Sequence, residues 1–217
     1  ALIAFGAGIV GSLTFAFTDS HWFNAVEAEV YAFSTFFTAI VVWLALLWSE
    51  KADEKGNERY ILIIAYMIGL ATGLHLLNLL TIPFVALLIY FKKFKFEWTS
   101  FAILVLLTGL VFFIIHNVII KGMPKIADAI GVSATALLVI IIFASMVWAV
   151  LNHKQLLSIV LTSIVLVLIG YSTYAMIFIR SNQNPGIDEN DPETVEAFIS
   201  YLEREQYGDV GMLPRRF

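Results

Sequence analysis

Apolar runs long enough to cross a bilayer recur along this 217-residue chain, and no other feature restricts its fold as strongly. In hydrocarbon there is no water to satisfy backbone N–H and C=O groups, so only helices and closed barrels can span it. The runs lack the alternation of barrel strands. The sequence therefore predicts an all-α, polytopic transmembrane helical bundle. Composition agrees: 60% of residues are hydrophobic and 14% charged, against ~25% charged in average soluble domains. There is no cysteine, which removes disulfides and thiolate metal sites. The net charge of −4 is small. Basic residues sit at the edges of the runs and form no patch, so no nucleic-acid partner is expected.

About seven spans are expected, at 1–17, 25–48, 59–75, 78–91, 99–119, 131–151 and 156–179, on the requirement for ~20 apolar residues per helix. A single helix over 59–91 would run to ~50 Å, well beyond a ~30 Å hydrocarbon core. The stretch GLHLLNLLTIP, with its polar pause and Pro83, places a tight turn near His75–Asn78. Lys51, Lys55 and Arg59, then Lys92, Lys93 and Lys95, then Lys154 fall in loops on one side of the bundle if that split holds. The positive-inside bias puts those loops in the cytoplasm. Glu27, His75 and the tail then lie outside, which for a bacterial inner membrane is the periplasmic side.

The opening ALIAFGAGIVGSLTFAF is apolar from its first residue and lacks the charged leader and cleavage site of a signal peptide. The chain is expected to start inside a larger protein, as a transmembrane domain over 1–180 followed by a polar, acidic outer-face tail over 181–217. Asp191 and Pro192 read as the N-cap and first turn of a short tail helix at about 192–206. Val195, Phe198, Ile199 and Leu202 form its apolar stripe.

Ionisable groups near a span are costly and by default mark a site. Asn24, Glu27, Tyr31, Thr35 and Thr38 follow helical steps of three and four and form one polar stripe. Glu29 falls about 200° around from Glu27 on a regular helix. The two carboxylates can hold one divalent cation only if residues 24–29 are extended. The alternative is that both lie at headgroup depth, solvated or complementing a helix N-terminus. His75 and Asn78 are either a donor pair for a phosphate or hydroxyl, or a turn satisfying its own carbonyls. Gly69 and Gly73 have the spacing of close helix contact. Arg180 is either a phosphate ligand or a snorkelling anchor. His21, beside Trp22 and near Asp19, joins the site or anchors the interface. Asp188, Glu189, Asp191 and Glu193 lack an EF-hand pattern and read as a solvated loop rather than a cation site.

Three stretches carry a resemblance: HWFNAVEAEVYAFSTFFTAIVVWLALLW, GLATGLHLLNLLTIP and RSNQNPGIDENDPETVEAFISYLEREQYGD. Together the chain resembles a bacterial family of large multi-span membrane proteins formerly of unknown function. That family is related to a vertebrate endoplasmic-reticulum protein O-mannosyltransferase and is similar to the GT-C glycosyltransferases. The resemblance implies transfer of a sugar from a polyprenyl-phosphate donor in the membrane to a protein or glycan hydroxyl. It implies that Glu27 and Glu29 occupy the second acidic motif of such enzymes, the first lying upstream of Ala1. His75 then stands near the carrier phosphate, where a lysine is commoner. Such chemistry needs a carboxylate base for the acceptor hydroxyl. It also needs positive charge, from a metal or from Arg and His, on the leaving phosphate. The competing expectation is a non-catalytic membrane scaffold or transporter subunit whose polar stripe serves packing or permeation.

Overall fold

The computed structural model describes residues 1–27, 30–205 and 208. Every regular element among them is helical. In chain order they are α1 (Leu2–Ala16), α2 (Asp19–Val26), α3 (Tyr31–Glu50) and α4 (Glu58–Thr72), then a 3₁₀ turn Leu76–Leu80 running into α5 (Thr81–Lys93). α6 (Trp98–Phe113) continues as π-helix through Ile114–Ile120. There follow α7 (Gly122–Ile130), α8 (Val132–Leu151), α9 (Gln155–Tyr171), a 3₁₀ turn Ser172–Tyr174, α10 (Ala175–Ser181) and α11 (Val195–Glu203).

Five of these elements are long and apolar enough to cross a membrane: Tyr31–Glu50, Leu76–Lys93, Trp98–Ile120, Val132–Leu151 and Gln155–Ser181. The two other expected spans are α1 and α4, of 15 residues each, or about 22 Å. α1 and α2 would make a sixth as one bent element, with 60° between them.

The break expected within 59–91 is present. α4 stops at Thr72, the chain turns through Gly73–His75, and the next helix begins at Leu76. At one end of the bundle the Lys93 ammonium pairs with Asp53 (2.8 Å) and donates to the Ala52 carbonyl (2.5 Å), joining the first two basic loops. At the other end the Tyr31 and His75 rings meet at 5.4 Å, and the Tyr171 hydroxyl donates to the Ile120 carbonyl at 2.9 Å.

The core lies between α3, α4, α5, the π-helical end of α6, and α9. It is built from Val41, Leu44, Ile64, Ile68, Leu79, Ile82, Ile120 and Val167, among others. α4 is its centre and packs most extensively on α9. The two run parallel with small residues at the seam. A Cβ on Gly69 would lie 2.5 Å from the Val167 carbonyl oxygen, and one on Gly170 would collide with the Gly69–Leu70 backbone. A Cβ on Gly73 would meet the Thr173 side-chain hydroxyl at 2.6 Å. Without side chains there, the backbones approach closely enough for dispersion contact to replace the hydrophobic drive that lipid does not supply. By contrast α1 and α6 contain no buried residue, and α8 buries only Thr135 and Ala149.

Three expected boundaries are corrected. The second span starts at Tyr31, not near residue 25, because Glu27 leaves the helix in extended backbone (φ −76°, ψ 154°). Starting after Glu27 keeps that charge out of the regular helix and out of lipid. Loop 120–130 contains the amphipathic helix α7, with Pro124 buried in its first turn and Gly131 (φ 87°) ending it. The tail helix begins at Val195 and is capped by Thr194, whose hydroxyl accepts the Ala197 N–H at 3.1 Å. Asp191 sits at φ 45°, outside the N-cap conformation, and Pro192 is buried below the helix. α11 buries Phe198 and Leu202 and docks on α7, with a Lys125–Glu203 ion pair at the edge.

Candidate functional site

Of the buried polar side chains, Ser34, Thr72, Asn78 and Thr81 gather where α3 starts and the 73–80 turn reverses the chain, while Thr135 and Ser181 lie elsewhere. α3 presents Ser34 and Thr38 one turn apart on the same face. Asn78 is only 2% exposed, and its amide fills the space between them. It donates to Ser34 Oγ (3.0 Å) and to the His75 carbonyl (3.0 Å), and accepts from Thr38 (2.9 Å). An unpaired amide at this depth would be costly, so the set fixes the register of the turn against α3. Thr35, on the expected stripe, instead faces out and bonds its own helix at Tyr31. The helix break at Glu27 also removes Asn24 and Glu27 from that stripe.

His75 sits in extended backbone ahead of the 3₁₀ turn and caps it, with Nδ1 accepting the Leu77 N–H at 3.2 Å. Nδ1 is therefore unprotonated, and the proton of the neutral ring is on Nε2. The ring is partly exposed and tilted against Tyr31, so its Nε2 edge is the available donor. Glu27 is exposed, four residues before Tyr31. A four-residue chain spans at most ~14 Å, so Glu27 belongs to the same end of the bundle as His75. Glu29 lies outside the described residues. His21 rests on the Phe15 ring (4.5 Å) in the bend between α1 and α2, while Trp22 stacks on Phe17 (5.8 Å).

Arg180 is exposed in the last turn of α10 and donates to Gln183 (3.3 Å). The seam between Gly73 and Thr173 puts the start of α10 at the His75 end. Among the described residues no hydrogen bond or ion pair joins Arg180 to Glu27 or His75. Nor do any three His, Asp or Glu residues there form a group able to hold a metal ion. In the acidic loop, Asp188 accepts the Ser181 hydroxyl at 2.8 Å, and Asn182 holds the Glu193 carbonyl at 3.0 Å. The structure thus brings together Tyr31, Ser34, Thr38, His75 and Asn78, and among the described residues shows no contact of Glu27, His21 or Arg180 with that cluster. Ser34 and Thr173 carry no motif. Ser34 was legible only as the position between Tyr31 and Thr38 at helical spacing.

Five long apolar helices, with apolar flanks facing outward, define a multi-pass membrane protein. Residues 1–98 match the family model of the N-terminal domain of the protein O-mannosyl-transferase TMEM260. That segment contains Glu27, His75 and Asn78 but not Arg180. Neither a curated protein nor a solved structure matches the chain.

Proposed function

We propose that the chain is the larger part of the membrane domain of a GT-C-type glycosyltransferase with seven spans. It moves a sugar, mannose foremost, from a polyprenyl-phosphate carrier to a protein or glycan hydroxyl at the outer face of a bacterial inner membrane. The match of residues 1–98 to a protein O-mannosyl-transferase domain carries this reading. In it, Glu27 takes the proton of the acceptor hydroxyl as that oxygen bonds to the sugar's anomeric carbon. The anomeric C–O bond breaks, and its electron pair leaves on the carrier phosphate. The Nε2–H of His75 donates to that phosphate, Arg180 adds charge from the tail side, and His21 lines the entrance. Asn78 acts through the turn it holds. Glu29 assists Glu27, and the two together are the candidate ligands for a divalent cation.

Glu27→Gln in the full-length protein is expected to lower transfer from a radiolabelled polyprenyl-phosphate mannose by at least about 100-fold, the lower bound for losing a general base. Its level in the membrane should not change. Undiminished transfer would remove Glu27 from the chemistry. It would favour the second reading, a non-catalytic scaffold or transporter subunit. One observation supports that reading: the interior polar groups Ser34, Thr38 and Asn78 bond one another.

A further inference from the structure

The flank of the bundle carries a feature the transferase reading does not use. Between α5 and α6 runs an apolar groove of about 340 Å³, with Pro83 and Leu87 on one wall and Phe101, Leu104, Gly109 and Phe112 on the other. Both helices belong to membrane-crossing elements, so the groove opens at hydrocarbon depth. From Phe101 to Phe112 it extends eleven residues of helix, about 16 Å. That is close to half of a ~30 Å hydrocarbon core, the reach of one leaflet.

Beyond the Phe101 end of the groove lies the 91–98 corner, where every residue is exposed. Phe101 belongs to both regions, with its ring 5.6 Å from Phe96, which in turn packs edge-on against Trp98 at 5.1 Å. The Tyr90 hydroxyl, from below, accepts the Glu97 N–H (3.1 Å) and meets Ser100 Oγ (2.6 Å), which fixes the corner's shape. Lys93 is occupied by Asp53 and the Ala52 carbonyl. Among the described residues Lys92 and Lys95 are exposed and make no hydrogen bond or ion pair, Lys92 lies within electrostatic reach of the Asp53 carboxylate already paired with Lys93, and Glu97 is the one acidic residue between Phe91 and Trp98.

We propose that this corner and groove bind one anionic phospholipid of the adjacent leaflet, its headgroup on Lys92 and Lys95 and one acyl chain between α5 and α6. Aromatic rings at headgroup level and lysines beside them suit the glycerol and phosphate regions of such a lipid. The leaflet-length groove suits an acyl chain. The headgroup end of the site, at Lys92 and Lys95, lies at the Lys93–Asp53 end of the bundle, opposite the His75 turn, and the proposal does not depend on sugar transfer.

The test reconstitutes the whole chain in nanodiscs of equal parts phosphatidylglycerol and phosphatidylcholine, and counts the lipids retained by native mass spectrometry. Wild type is expected to retain phosphatidylglycerol preferentially. The double variant Lys92→Gln, Lys95→Gln should lower that preference about thirtyfold, from the contribution of each lysine near an anionic headgroup. Gly109→Leu should displace the chain and abolish retention without loss of thermal stability, because nothing lies within 4 Å of a Cβ at that position. Equal retention of both lipids, an unchanged preference in the lysine variant, or displacement of phosphatidylglycerol by polyprenyl phosphate would each overturn the proposal.

Discussion

The α4–α9 seam is less apolar than the outer helices α6 and α8, yet the seam is the interior and those two helices the exterior. α6 is among the most apolar segments of the chain and buries nothing; α4 is less apolar and lies at the centre. In lipid, hydrophobicity does not sort inside from outside, since acyl chains solvate leucine as well as a core does. The sorting follows small residues and polar pairs. Gly69, Gly73 and Gly170 let two backbones touch, and Ser34, Thr38 and Asn78 have partners only inside.

The contrast can be broken most sharply with glycines. Gly170→Leu should destabilise the bundle by at least about 1–3 kcal/mol, the usual range for overpacking, because its Cβ meets backbone that cannot rotate away. The same change at Gly109 on the flank should stay within about 0.5 kcal/mol, as at other surface positions. Steric-trap or SDS unfolding of the two variants measures the difference, and equal effects would end the distinction between seam and flank.

A smaller effect is expected from the polar set. Asn78→Leu removes three hydrogen bonds among α3 and the turn. Interhelical polar contacts in membranes average about 0.6 kcal/mol, so a loss of about 1–2 kcal/mol is expected, while Thr35→Val on the outward face should cost nothing measurable. Thermal melts in one detergent decide it, and loss of the His75–Tyr31 contact in the Asn78 variant would appear as a changed Tyr31 environment.

The smallest effect concerns the surface helix. Lys125 beside the Glu203 carboxyl holds it below the usual carboxylate range. With its pKa depressed in the folded state, the pair's contribution is present above the ordinary glutamate value of about 4.3. It is lost as pH falls through the lower folded value. Hydrogen exchange in α11 should therefore rise below about pH 4, and Lys125→Gln should flatten that dependence. Being exposed, the pair is weak, and the bundle itself should not respond.

Much of this architecture was legible. The polar pause before Pro83 located the chain reversal, the lysine loops identified one end, and Gly69 with Gly73 marked the seam. α1 and α4 form where spans were expected, but at 15 residues each they are shorter than an isolated helix needs to cross the bilayer. α7 was missed because nine residues show little more than two turns of periodicity. At the tail, Asp191–Pro192 looked like a helix start, but local hydrogen bonding at Thr194 won. The site was legible as residue types near an end of the bundle. Which of them touch depended on a rotation of α3 that brings Ser34 inward instead of Thr35, and no spacing rule distinguishes neighbours by one residue.

The shortness of α4 has one further consequence. It begins at Glu58, close to the Lys93–Asp53 junction, and rises about 22 Å, so its tip falls roughly 8 Å short of the far boundary of a ~30 Å core. His75 and the short turn before it would thus occupy a sunken floor, reached from the aqueous side through a dimple in the membrane and ringed by taller neighbours.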